Sequence, residues 1–348
     1  MRWLPLLLLA ACSQEPEYEP PSYDIAAQGP WYACPDLSTT TDVLERVPVF
    51  TAEPSFFGNL DTDPDDALNR REIEATVELP AGEYAQVGLW LQLDCPDSGL
   101  CDHWDRAASL QVRPADDEDG WIELDRYITA YRLPTCHFID LTPLANTLQG
   151  PMVFRNWIDT WVGPGHAEGE GWNVTAELVY WPGEDAGAVT VSSVYGGRQS
   201  LTVGESTPSV DEQTTPVLLD VPADATRVEA HLITTGHSFG NTDNCAEFCE
   251  MDHHLLVDGE VFVSNPWRDD CRDNPVRDQF GTWRHPRNGW CPGATAVGEV
   301  FDLSDVVEPG TSVELDLDVV LAGGEPYVNE DPVDLLPYTM YSVKVYAW

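Results

Sequence analysis

The sequence predicts an all-β fold of the sandwich class, and three observations carry that prediction. Apolar and polar residues alternate over short runs, clusters of turn residues separate the runs, and almost no stretch repeats with a 3.6-residue period. Alternation means that each run presents one face to a core and the other away from it.

The chain opens with "MRWLPLLLLAACSQ", one arginine followed by an apolar run too short to span a bilayer and then Leu9-Ala10-Ala11-Cys12. This reads as a secretory signal ending in a lipobox, so residues 1–11 are expected to be removed and Cys12 lipidated. The product would be exported and lipid-anchored at a bacterial cell envelope, with Ser13 after the anchor favouring the outer membrane. "SQEPEYEPPSYD" then has too little aliphatic content for a core and reads as a solvated tether, part of an extension over 12–44.

Strands are expected in "REIEATVEL" from 71, "AQVGLWLQL" from 85, "RAASLQVR" from 106 and "WNVTAELVYW" from 172. Three more are expected in "RVEAHLITT" from 227, "TSVELDLDVVL" from 311 and "TMYSVKVYA" from 339. "LPAGEY", "ADDEDG", "VDGE" and "VEPGTS" supply turns. "YWPGEDAGA" at 180–188 interrupts the pattern and divides the chain into domains over 45–182 and 188–348. Roughly 300 residues are enough for two domains with real cores.

Sixty acidic against 17 basic residues give a net charge of −43, which sets nucleic-acid partners aside. Besides Cys12, eight cysteines form an even set in an oxidising compartment. Proximity suggests Cys95 with Cys101, Cys245 with Cys249 and Cys271 with Cys291, leaving Cys34 and Cys136 to pair by elimination. The two shortest loops would contribute only about 2 kcal/mol each, so they shape local turns more than they hold the fold.

Three windows carry candidate chemistry. "CDHWDRAASL" sets Trp104, Asp105 and Arg106 at the start of a strand beside a tight cross-link, with Arg106 expected to keep Asp105 ionised. "NCAEFCEMDHH" holds Glu247 at the crown of a small cysteine ring, where Phe248 could raise its pKa by desolvation. "DDCRDNPVRDQFGTWRHPRNGWCPG" joins Trp283, His285, Arg287 and Trp290 in one closed loop, a mixture of rings and polar groups suited to a sugar. Each window taken alone is also compatible with ordinary surface loops.

Together and in order, "CDHWDR", "DRYITAY" at 125–131, "WIDTW" at 157–161, "CAEFC" at 245–249, "DDCRDNPV" at 269–276 and "RNGWCPG" at 287–293 resemble the bacterial peptide-N-glycosidase F family. The resemblance spans about 50–300. It implies two side-by-side eight-stranded antiparallel jelly rolls, of the kind also found in peptidylglycine monooxygenases, with a cleft at their interface. The implied activity is hydrolysis of the amide joining N-acetylglucosamine to asparagine in an N-linked glycoprotein or glycopeptide, by a monomer without a cofactor. It places the essential aspartate at Asp105, the ring glutamate at Glu247 and a second acid at Asp159. Arg106 and Arg287 would line the cleft, with Trp104, Trp161, Phe248 and Trp290 beside the substrate.

Two positions depart from the family pattern. Asp159 stands where the family has glutamate, one methylene shorter, and Phe248 stands where it has tryptophan, without the indole donor. A displaced group of this kind can cost on the order of 100-fold in rate. A surface glycan-binding lipoprotein without turnover is therefore one alternative. Another is copper chemistry using His253 and His254, although adjacent strand residues point to opposite faces. "DTDPDDALNRRE" at 61–72 spaces its acids like a calcium loop but has Asp66 where that loop needs glycine.

Overall fold

A computed structural model describes Cys34, Leu37 and residues 45–58, 69–202, 210–327 and 337–348. The expected signal, the tether with Cys12 and the acidic positions 61–68 lie outside these residues. None of the helices among the described residues is long and apolar enough to cross a membrane.

The first half forms eight strands: β1 (Glu45–Ser55), β2 (Glu72–Leu79), β3 (Tyr84–Asp94), β4 (Ala107–Pro114), β5 (Ile122–Ile128), β6 (Thr135–Asp140), β7 (Gly150–Ile158) and β8 (Trp172–Pro182). The second forms β9 (Thr190–Thr202), β10 (Val217–Asp220), β11 (Val228–His237), β12 (Met251–Val257) and β13 (Glu260–Ser264). Three two-residue strands follow, β14 (Trp267–Arg268), β15 (Arg287–Asn288) and β16 (Ala294–Thr295), and then β17 (Glu299–Asp302), β18 (Ser312–Leu321) and β19 (Tyr338–Ala347).

All ladders among these strands are antiparallel. In the first sandwich β1-β8-β3-β6 faces β5-β4-β7-β2. The second repeats that order, with β9-β19-β11-β17 opposite β10-β18-β12-β13. The fold is thus two eight-stranded jelly rolls, as the family resemblance implies. Leu89, Leu91, Leu110, Phe154, Trp172 and Leu178 fill the first core, and Leu255, Leu315, Leu317, Val343 and Leu232 the second. Burial of such residues, roughly 2 kcal/mol per large side chain, is what holds each pair of sheets together.

Alternation misleads in one respect: it suggests a solvated outer face for every sheet. Strands β4, β5, β11 and β19 are buried on both faces over nearly their whole length. Their polar side chains meet the other sandwich instead of water. Arg126, fully buried, donates to both carboxylate oxygens of Glu123 at 2.7 and 2.9 Å and reaches Thr235 Oγ1 across the interface at 3.3 Å. From the second sandwich Ser342 donates to Glu123 Oε2 at 2.5 Å, and Lys344 donates to the Glu123 carbonyl at 2.8 Å. Burial lowers the Lys344 pKa to about 8, against the pull of Glu123 and Asp125.

The second half also lends a strand to the first, since Ala294 and Thr295 of β16 pair with Ile128 and Tyr127 of β5. This brings the loop containing Arg287 to the end of the first sandwich at which "CDHWDR" lies.

Candidate active site between the sandwiches

The cysteine pairings expected from the sequence form. Cys95–Cys101, Cys245–Cys249 and Cys271–Cys291 close loops of the three candidate windows, while Cys34–Cys136 ties the N-terminal extension to β6. Each window is therefore fixed at its base before it reaches the cleft.

The "CDHWDR" turn is organised by Asp102, which is wholly buried. Its Oδ2 accepts from Arg106 Nε and from Thr160 Oγ1, both at 2.7 Å, and its Oδ1 accepts the Trp104 backbone N–H at 3.0 Å. Arg106 consequently pairs with Asp102 and not with Asp105, which corrects the expectation from sequence adjacency. Neighbouring residues entering a strand diverge, whereas the turn brings residues four apart together. Thr129 completes the anchorage by accepting the Arg106 N–H at 2.9 Å and donating to the Trp104 carbonyl at 3.2 Å.

Freed from Arg106, Asp105 meets Arg287, whose Nη1 lies 2.9 Å from Asp105 Oδ2 and 3.1 Å from Glu247 Oε1. One guanidinium nitrogen thus holds an acid from each sandwich. Arg287 is itself fully buried and immobilised, donating from Nη2 to the Thr282 carbonyl at 2.7 Å and hydroxyl at 3.0 Å. Its guanidinium carbon lies 4.3 Å from the Trp290 ring centroid and 4.9 Å from that of Phe248.

Trp290 is only 2 % exposed and donates its indole N–H to the Gly236 carbonyl at 2.7 Å. It cannot offer a ring to substrate. The expected substrate contact is corrected to a floor beneath Arg287, shared with His237, which stacks between Trp290 and Tyr338. Gly289, two residues after Arg287, has φ +87°, and a Cβ there would come within 2.2 Å of the Thr234 carbonyl. Only glycine lets this segment lie so close to β11.

Burial sets the acid-base properties. Desolvation raises the Asp105 pKa, opposed by Arg287 and by a hydrogen bond from Tyr131. Glu247 is pushed up to about 7, first by burial and further by the Asp105 charge, with Arg287 pulling the other way. Two carboxylates around one cation leave a net negative charge, so protonating one of them makes the trio neutral.

Asp159 occupies a neighbouring station. It lies 3.4 Å from Arg71 Nη1, and Arg71 packs 4.4 Å from the Trp161 ring. Burial raises its pKa, against Arg71 and then Arg106. Asp159 makes no ion pair with Arg287 among the described residues. What joins the stations is Tyr338, half-buried at the start of β19, whose pKa is raised by burial and then by the charges of Asp159, Glu247 and Asp105. The charges of all three acids are thus felt at one phenol.

Trp104 and Trp161 are 42 % and 52 % exposed, and Phe239 and Phe280 are also open to solvent. Phe239 meets Phe248 edge-on at 6.3 Å, and Phe280 adjoins Gly281, which abuts Tyr131. Exposed rings thus border the acids on several sides. Sequence reasoning missed Asp102, Thr160, Tyr131, Tyr338 and Arg71. Tyr131 ends the quoted "DRYITAY" motif, the one available signal for its part.

The paired histidines separate as strand geometry requires. His253 is fully buried, and its Nδ1 lies 2.5 Å from Thr234 Oγ1 while Nε2 lies 3.4 Å from Asn288. Its neighbour His254 points to the other face, and among the described residues no three His, Cys, Asp or Glu side chains gather as a metal site. The copper expectation fails on this division.

Comparison with known proteins gives a consistent picture. Residues 207–326 match a family described as peptide-N-glycosidase F, C terminal. The chain is 25 % identical over 254 residues to a peptide-N(4)-(N-acetyl-beta-D-glucosaminyl)asparagine amidase F from Elizabethkingia miricola, covering 68 % of this chain and 69 % of that protein. In fold it resembles PNGase F, a glycosylasparaginase from Flavobacterium meningosepticum, with TM-score 0.70, 19 % identity, and coverage of 88 % of this chain and 96 % of that one. It also resembles PNGF-II, with TM-score 0.66, 17 % identity, and coverage of 87 % and 65 % respectively.

Proposed function

We propose, for a chain that is a relative of peptide-N-glycosidase F in sequence and in fold, that it hydrolyses the amide linking N-acetylglucosamine to asparagine in N-glycoproteins. The observation that carries this reading is the meeting of Asp105 and Glu247, one acid from each sandwich, on Arg287 Nη1 at 2.9 and 3.1 Å. Amides resist attack because resonance stabilises them, so a site needs a base for water, charge stabilisation for the oxyanion and a proton for the leaving nitrogen.

Asp105, anionic against Arg287, takes a proton from water as its oxygen adds to the asparagine carbonyl. Arg287, fully buried beneath the two acids and with its donors committed to them and to Thr282, does not line the cleft as the resemblance implies; it acts as a fixed positive charge that favours the developing negative charge without touching it. The carbon–nitrogen bond then breaks, Glu247 protonates the departing nitrogen, and the products are an aspartate side chain and a glycosylamine. Asp159, Trp161 and Trp104 hold the sugar and its neighbours. The lipobox-like Leu9-Ala10-Ala11-Cys12 supports the further proposal that the protein is exported and lipid-anchored.

The test is incubation of the protein with a denatured N-glycoprotein, followed by mass spectrometry of both products. Each released glycan should leave a peptide in which asparagine has become aspartate, and Asp105→Asn should lower turnover about 10³-fold with folding unchanged. Saturable glycan binding with no product after long incubation would favour the second reading, a glycan-binding protein, which the separation of Asp159 from Arg287 supports.

A further inference from the structure

A pocket of about 260 Å³ opens on the second sandwich, behind the strand that carries Arg287. Its walls come from Ser264, Pro266, Trp267, Val297 and Glu299, with the backbone of Gly289 and Gly298. None of these residues contributes a side chain to the acid cluster. The pocket and the cleft are nevertheless joined through backbone, because Trp267 pairs with Asn288 and the Gly289 N–H donates to the Pro266 carbonyl at 2.9 Å.

Its chemistry is specific. Ser264 is 3 % exposed and Trp267 half-buried, and neither the Ser264 hydroxyl nor the Trp267 indole N–H is sealed from solvent or bonded to another described side chain or backbone group. Donors left open on the wall of a concave pocket, beside an aromatic ring, are available to a ligand that enters it. Glu299 stands exposed at the rim with no cation paired to it. Arg268, the one cation in the wall, is clamped by Asp270 at 2.7 and 3.0 Å. An anionic ligand is disfavoured by that neutralised arginine, by Glu299 and by the net charge of −43. The lining asks for a neutral molecule with an apolar face for Trp267 and Pro266 and hydroxyls for Ser264 and Glu299. At this volume, just under the roughly 300–1,000 Å³ of typical small-molecule sites, the pocket suits one ring and not a chain.

We infer that this pocket is a second carbohydrate site that takes a single neutral pyranose, separate from the amide-cleaving cleft. The choice of a sugar over another neutral polyol rests on the glycoamidase reading. In that setting the pocket would hold an outer residue of a branched glycan, or of a neighbouring glycan, while the innermost sugar lies in the cleft.

Saturation-transfer NMR with methyl mannoside, methyl galactoside and methyl N-acetylglucosaminide, on the protein and its variants, tests the inference. At least one pyranoside should bind saturably to Asp105→Asn as well as to the unmodified protein. That signal should weaken about tenfold in Trp267→Ala and in Glu299→Gln, the second being a rim substitution that leaves the fold alone. Amidase turnover on a short glycopeptide should be unchanged in Glu299→Gln. Absence of binding by all three pyranosides would overturn the inference, as would binding that is insensitive to both pocket substitutions. A protein without amidase turnover that still binds a pyranoside through Glu299 would refute the glycoamidase reading and leave the second site standing.

Discussion

At the scale of single residues the site is a problem of charge sharing. Glu247, at about 7, is half-protonated near neutrality, while Asp105 is the group that must ionise for water to be activated. Turnover should therefore trace a bell against pH, falling on the alkaline side as Glu247 loses its proton through about pH 7. Glu247→Gln should remove that alkaline step, and a pH series of kcat/KM checks it. Stability follows the same proton. A carboxyl whose folded pKa lies above its unfolded value stabilises the fold at low pH, and this contribution disappears as pH rises from about 4.5 through about 7. Relative to Glu247→Gln, the unmodified protein should lose on the order of 3 kcal/mol between pH 4 and pH 8, read from chemical denaturation. Asp159→Glu restores the longer acid at the second station, and about a tenfold rise in kcat/KM is expected if reach limits the present residue. Adjacency in sequence made Arg106 look like the partner of Asp105. Only the folded turn reveals that Asp102 captures Arg106 and leaves Asp105 to a residue 182 positions away.

At the scale of elements, loops cross-linked at their bases carry the chemistry. The Cys245–Cys249 ring closes only a few residues, so its loss should cost no more than about 2 kcal/mol in stability. The same loss frees Glu247 from its place beside Arg287. The double variant Cys245→Ala/Cys249→Ala should thus keep a nearly normal melting temperature while kcat drops about 100-fold, a split that calorimetry and steady-state kinetics resolve. The strands from 71, 85, 106, 172, 227, 311 and 339 were legible because alternation and turn residues coincide there. Two-residue strands such as β14, β15 and β16 were not, since no periodicity exists over two residues and their pairing is set by the packing of the sandwiches. Glu247, Arg287 and Asp105 stood out through motif resemblance. Tyr338 and Thr160 carry no local signal because their importance is purely positional.

At the scale of the whole molecule, the polar faces of β4, β11 and β19 were legible as alternation, but their destination was not. A sequence pattern records that one face differs from the other; it does not say whether water or a second sandwich lies beyond. Glu123 bears most on that joint, holding Arg126 while accepting from Ser342 and Lys344. Glu123→Ala strands a buried guanidinium and should cost about 3–5 kcal/mol, measured as a shift in the denaturant midpoint. Activity should disappear over the same denaturant range, since the cleft needs both halves in register. Arg287 gives this joint a further meaning. Because a single nitrogen of that residue touches an acid contributed by each half, a copy whose halves have not yet docked carries every group of the proposed site without the site itself. If the proposed amidase chemistry holds, the final docking of the two halves would also be the step that switches it on.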